Sequence, residues 1–166
     1  MSWNPKASFS GVMEDVVVPN VMAIVEDNFA LALDYYYPAQ LLPTFREITL
    51  GQVRRKEYPY CAVGPGDNLA VESEDSARLT QPLIVQIRIG VVADTADAVT
   101  ELIMKYVKVM HGVLITATKA DYFGDSNERT FGFSLNVEHI YGSILSNNSI
   151  LLREAALTLT LNFESR

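Results

Sequence analysis

The chain has 166 residues, 49% of them hydrophobic and 20% charged, which is ordinary globular usage and excludes a disordered, collagenous or low-complexity protein. At about 150 residues per domain it forms a single domain over residues 1–166. A net charge of −7 and a pI near 4.8 exclude general affinity for nucleic acid or an anionic membrane unless a local patch supplies it.

Asn4, Pro5, Ser8, Ser10 and Gly11 punctuate the start, so residues 1–16 read as an N-terminal arm. Met1 to Phe9 carries no apolar core of signal-peptide length. Pro19 suits a first helical position, where its missing N–H would be unpaired anyway, and Val21, Val25, Phe29, Ala32 and Tyr36 recur after it at helical spacing. A helix is expected over residues 19–36, because Pro38 restricts Tyr37 to extended conformations. Phe45 to Leu50 and Tyr58 to Val63 are short β-prone runs separated by Arg54, Arg55 and Lys56, and Gly64-Pro65-Gly66 closes the second. Asp67, Glu72, Glu74 and Asp75 then give residues 64–80 the character of an acidic loop or mobile hairpin.

Pro82 leads into the clearest strand, Ile84 to Val92, where Val85, Ile87, Ile89 and Val91 alternate with Gln86, Arg88 and Gly90. Asp94 can cap the helix that follows, Val99, Leu102, Ile103, Tyr106 and Met110 form its apolar stripe, and His111-Gly112 supplies a stop signal. That helix is expected over residues 95–111. Phe131, Phe133, Leu135, Val137, His139 and Tyr141 share one face of a later strand, and Arg153, Ala155, Leu157, Leu159, Leu161 and Phe163 one face of the last. Ser146-Asn147-Asn148-Ser149 is the turn between them, too short for anything but an antiparallel connection.

Chemistry-bearing motifs are absent: there is no phosphate loop, dinucleotide fingerprint, zinc-protease helix or nucleophile elbow. His111 and His139 are the only imidazoles, and their spacing offers no metal site. His139 lies in register with Val137 and Tyr141 and is expected to be a partly buried, satisfied ring, while His111 is explained by a helix C-terminus. Cys61, the only cysteine, can form no internal disulfide and sits in a β-prone run as a structural thiol, which fits folding in a reducing cytoplasm. The acidic residues at 67–75 lack calcium-loop spacing and read as solvated. Arg54, Arg55 and Lys56 read as a wet turn or an interface rim, and Tyr35, Tyr36 and Tyr37 as aromatics that close a core. The longest apolar runs, such as Leu83 to Val85, fall far short of the roughly 20 residues that span a bilayer. No cofactor, no metal and no catalytic residue are expected.

The order of elements specifies an α+β fold: an antiparallel β-sheet, two main α-helices packed on one face, and a long C-terminal β-hairpin. The bare face must be polar or buried by another copy, and Leu157, Leu159 and Leu161 beside Thr158 and Thr160 favour partial burial, hence self-association.

In this arrangement the chain resembles the tail terminator and tail-completion proteins of long-tailed bacteriophages, small α+β proteins that form hexameric rings. The resemblance lies in the amphipathic N-terminal helix, the strand Tyr58-Pro59-Tyr60-Cys61-Ala62-Val63-Gly64, the acidic loop, the strand–helix unit Ile84 to Met110 and the closing hairpin to Phe163. It implies a structural phage or prophage protein that caps or completes the tail tube and joins it to the head. Its implied partners are copies of itself and other tail and head-completion proteins. Its implied place is the tail or neck of the virion, and the host bacterial cytoplasm during assembly. The chain departs from that pattern in the length of its charged segments from Arg54 to Arg78. A non-catalytic adaptor module and, behind it, a small enzyme are the competing classes. In a head-to-tail ring two different patches must complement one another, and the sequence offers Arg54, Arg55 and Lys56 against Asp67, Glu72, Glu74 and Asp75. A channel that lets DNA slide is expected to be lined by more Asp and Glu than Lys and Arg.

Overall fold

The computed structural model describes residues 14–51, 57–66, 82–117 and 132–164. Its central element is the strand whose alternation is strongest in the sequence: β3 (Pro82–Ala93) turns Val85, Ile87, Ile89 and Val91 to one side, where all four are fully buried. Around it, in chain order, stand α1 (Glu14–Tyr36), β1 (Glu47–Leu50), β2 (Tyr60–Pro65), α2 (Ala96–Ala117), β4 (Gly132–Tyr141), β5 (Leu145–Asn147) and β6 (Ile150–Glu164). The strands form one sheet in the order β1-β2-β3-β6-β4, with β5 beside the start of β6.

Register decides what the helices cover. Ile89 faces Cys61 on β2 and Ala155 on β6, and Ile87 faces Val63 and Leu157. Leu159 and Leu161 follow opposite Val85 and Leu83, so one continuous apolar face crosses three strands. α1 lies over β1, β2 and β3, and α2 over β3, β6 and β4. They bury Val21, Val25 and Phe29 from one helix and Ile103, Tyr106, Met110 and Leu114 from the other, each worth about 1.5–3 kcal/mol by area removed from water. Phe29 stacks on Phe45 with ring centroids 4.1 Å apart and on Tyr106 at 5.5 Å, which pins both helices to the segment before β1. The Tyr106 hydroxyl donates to the Pro43 carbonyl.

The α+β class, the helices on one face and the closing hairpin are as the sequence implies, with differences that have physical causes. β1 and β2 run parallel. Their paired stretch is short, four residues or about 13 Å at 3.3 Å per residue, Glu47 to Leu50 against Tyr60 to Val63. The three leucines of β6 are buried by the chain's own helices, and it is Thr158 and Thr160 that occupy the bare face, half-buried. α1 begins at Glu14, five residues before Pro19, because Val17 and Val18 extend its buried stripe. Pro19 is exposed and deprives only the Asp15 carbonyl, one turn back at the water-facing helix start, of its partner. By length and composition α1 could also cross a membrane, but here its apolar stripe packs on the sheet. Thr95, not Asp94, caps α2: its Oγ1 accepts from the Ala98 N–H at 3.2 Å. α2 runs on past Gly112 to Ala117, since Val113 and Leu114 continue the core. Gly112 answers a packing need instead, for a Cβ there would lie 2.6 Å from Tyr36 Oη. The hairpin turn shrinks to two residues, Asn148 (φ 46°) and Ser149 (φ 73°), the doubly positive pattern that suits right-twisted strands.

Candidate assembly surfaces

Arg54, Arg55, Lys56, Asp67, Glu72, Glu74 and Asp75, the charged residues expected to set a subunit interface, all lie outside the described residues. Of the acidic loop or mobile hairpin expected over residues 64–80, Gly64 and Pro65 end β2, and residues 67–80 lie outside the described residues.

Several of the described titrating groups are buried or held in structural pairs. Cys61 is wholly buried, and burial pushes its thiol far from the range in which a thiolate would form. Tyr60, Gly90 and Glu154 are directly opposite one another on β2, β3 and β6, on the face without helices. The glycine leaves its place to the tyrosine: a Cβ at Gly90 would come within 2.1 Å of Tyr60 Cε1. The Tyr60 ring therefore lies flat across β3, and its hydroxyl donates to the Glu154 carboxylate. Burial, then that carboxylate, push the phenol's pKa up, so it stays a neutral donor. A glycine inside the strand, on the face of Gln86 and Arg88, was the sequence signal for this close approach.

His111 and His139 meet, with Nε2 of the first 3.0 Å from Nδ1 of the second and the rings edge-on. His111 lies inside α2 and not at its end, and His139 is exposed on β4 rather than partly buried, its ring also edge-on to Tyr141. Desolvation, and then the second imidazole, lower the pKa of His111. Arg153 sits next to it. Its Nε donates to the Gly142 carbonyl at 3.0 Å, its Nη1 donates to Thr100 Oγ1 at 2.8 Å, and its guanidinium lies over Tyr141. Together these contacts tie β6 and the end of β4 to α2. Among the described residues no group of three or more His, Cys, Asp or Glu could hold a metal ion.

Among the described residues, two of the exposed apolar surfaces stand out. The first is a groove of about 1020 Å³ between α1 and α2, lined by Ile24, Leu31, Ala32, Tyr35, Tyr36 and Val113. Leu31 is 71% exposed and Tyr35 79%, at the end of a helix that carries five carboxylates and no basic residue. Tyr36 and Tyr37 are covered by Lys108 and Lys105, whose ammonium groups lie 5.4 and 5.6 Å from the ring centres. Tyr35 is thus left facing outward, and only Tyr37 packs against the core as the triplet was expected to.

The second surface is the hairpin arm formed by β5, its turn and the start of β6. Where β4 gives way to β5, three residues, Gly142 to Ile144, oppose two on β6, Arg153 and Glu154. The extra residue makes a bulge on the β5 side, while β6 stays paired to β3 as far as Leu151 opposite Ala93. The Gly142 N–H donates to the Glu154 carbonyl at 2.8 Å, which fixes the root of the hairpin. Leu145 is 56% exposed and Ile150 48%, with Ile140 more exposed still on β4. From Gly142 to Leu152 there is no charged residue. That uncharged run was visible in the sequence, but the alternation that hides Leu157 and Leu159 gave no warning that the same strand would start in the open.

No protein-family model and no curated protein matches the chain. Among solved structures it is similar to a chain in the virion of a native gene transfer agent particle, with 12% sequence identity, a TM-score of 0.43, and coverage of 96% of this chain and 100% of that one.

Proposed function

We propose that this chain is a structural subunit of a phage or phage-like particle, which closes with copies of itself into a ring that caps or completes the tail tube and joins it to the head. The observation that supports the reading is the pair of exposed apolar surfaces, one between the helices and one at the β5–β6 hairpin. A self-complementary two-fold contact needs one patch, whereas a head-to-tail contact needs two unlike ones, and head-to-tail contacts close into rings. The buried Cys61 thiol, the Tyr60 phenol bonded to Glu154 and the mutual contact of His111 and His139 support a non-enzymatic role. Ring size follows from the family the sequence resembles, about six copies around one axis. A central opening lined by more Asp and Glu than Lys and Arg lets a DNA backbone pass without the counterion-release attraction that basic residues would add.

Electron microscopy of the purified protein tests this. Closed rings with a central opening are expected. Monomers at high concentration, open filaments, or rings with a basic lumen would each overturn it. A non-enzymatic chain also predicts that His111→Ala, His139→Ala and Cys61→Ala alter stability or assembly only; a turnover lost in a variant that still folds would refute that part.

A further inference from the structure

We infer that neighbouring copies join through their sheets, the outer edge of β4 in one copy taking β1 of the next as an additional strand. This rests on the ring reading and names the contact that links one subunit to another. β1 and β4 are the two ends of the sheet, and among the described residues no strand pairs with the outer side of either. An edge strand presents a row of backbone N–H and C=O groups with which another strand can pair, and soluble proteins blunt such edges with Pro, Lys or a very short strand. β4 has none of these. It runs ten residues, Gly132–Tyr141, without Pro, Lys or Arg, an edge of about 33 Å at 3.3 Å per residue.

The backbone fixes which groups face outward. The Gly142 N–H donates to the Glu154 carbonyl, and direction alternates along a strand, so Leu135, Val137 and His139 turn their N–H and C=O groups away from β6. On β1 the Gly51 N–H donates to the Val63 carbonyl, so by the same alternation Ile48 and Leu50 turn theirs away from β2. These outward residues carry their side chains on the helix-covered face in both strands. Leu135 and Val137 oppose the buried Leu161 and Leu159, and Ile48 and Leu50 oppose the buried Cys61 and Val63. β1 and β4 also run in opposite directions, since β1 is parallel to β2 and each later neighbour in the sheet is antiparallel to the one before. A copy set beside β4 with its helices on the same side therefore presents β1 as an antiparallel ladder requires. The side chains agree. Leu50 is 58% exposed, and the pairing covers it with Leu135 and Val137, which are themselves only half-buried. Leu50 opposite Val137 sets Thr49 opposite Glu138, whereas a slip of two residues toward Leu135 would set Glu47 against Glu138. β5 continues the same outer edge beyond the bulge, so the exposed Leu145 lies on the side that meets the neighbour. Two β4 edges paired about a two-fold axis would leave Leu50 uncovered and close a dimer instead of a ring.

Proline at the outward positions tests the contact, because it removes an N–H that the subunit's own ladder does not use. Val137→Pro blocks the edge of β4 and Leu50→Pro the edge of β1. Each variant should melt within about 5 °C of the wild type and should have the mass of a monomer by light scattering. Mixed in equal amounts, the two should form a dimer and nothing larger, since only the intact β4 of the Leu50→Pro copy and the intact β1 of the Val137→Pro copy are left to pair. A folded variant that keeps the wild-type oligomer would overturn the edge contact, and leave the ring reading standing if that oligomer is a ring. A Leu50→Pro variant that dimerises by itself would overturn it in favour of paired β4 edges. A mixture that dimerises while the wild type forms open filaments would sustain the contact and overturn the ring. A monomeric wild type would overturn both. Should Val137→Pro fail to fold, Leu50→Pro decides alone: a folded monomer sustains the contact, and a retained oligomer overturns it.

Discussion

β6 runs through two environments. From Ala155 to Leu161 its alternate residues are buried under α2, between β3 and β4, while Ile150 at its start, on the face that carries Thr158 and Thr160, lies exposed next to the short β5, although Leu151 still packs against the core. The sequence pattern is equally apolar at both ends, so hydrophobicity alone does not decide burial; a helix overhead does. The buried end holds the fold together, and the open end has apolar surface to spend on another molecule.

The sharpest contrast is expected on β3, where the covered and bare faces meet within one strand. Ile87→Asp places an unpaired carboxylate among buried side chains and should cost upward of about 4 kcal/mol, unfolding the domain. Gln86→Asp, one residue away on the bare face, should stay within about 0.5 kcal/mol in the same urea titration. Equal losses would show that the two faces are not distinct. Along β6, Leu159→Ala should cost about 2–5 kcal/mol through the cavity it leaves, and Ile150→Ala less than about 1 kcal/mol. Thermal melts of the two variants that coincided would remove the distinction between the ends of the strand.

Two glycines extend the comparison to the sheet and the helices. Gly90→Ala forces the Tyr60 ring, which is fully buried and bonded to Glu154, to move, and should cost about 1–3 kcal/mol. Gly112→Ala meets only the far end of Tyr36, a half-open side chain, and gains helix propensity of about 1 kcal/mol, so it should be neutral or slightly stabilising. The smallest effect is that of pH at the root of the arm. His111 has its folded pKa lowered from 6.5, so the unfolded chain takes up a proton more readily. Its contribution is therefore complete above about pH 6.5 and fades as pH falls from there toward the folded value. His111→Gln should flatten that part of the melting-temperature profile. A profile unchanged by the substitution would mean that the histidine contact does not stabilise the fold.

Much of the architecture could be read from residues alone, because strict alternation in β3 and β6 and the helical stripe of α1 each encode one buried face. The misreadings came where a local rule met a distant partner. Pro19 and Gly112 are ordinary helix punctuation until Val17 and Leu114 are seen to extend the core past them. His111 and His139 are 28 residues apart, and only the crossing of α2 over β4 joins them. Gly90 announced a close approach but not the tyrosine that makes it. The groove is a property of two helices together, and no single stretch of sequence carries it. The arm, by contrast, could be read as an uncharged run, though not as an exposed one.

The central claim is that the open end of β6 belongs to an interface between copies. It is tested most directly by the solution mass from light scattering coupled to size exclusion, measured on the wild type and on the Leu145→Asp, Ile150→Asp variant side by side. The account predicts one discrete oligomer of the 18.4 kDa chain, independent of loading concentration, for the wild type, and a folded monomer for the variant. A wild type that elutes as a monomer at every concentration, or a variant that keeps the wild-type mass, would contradict it.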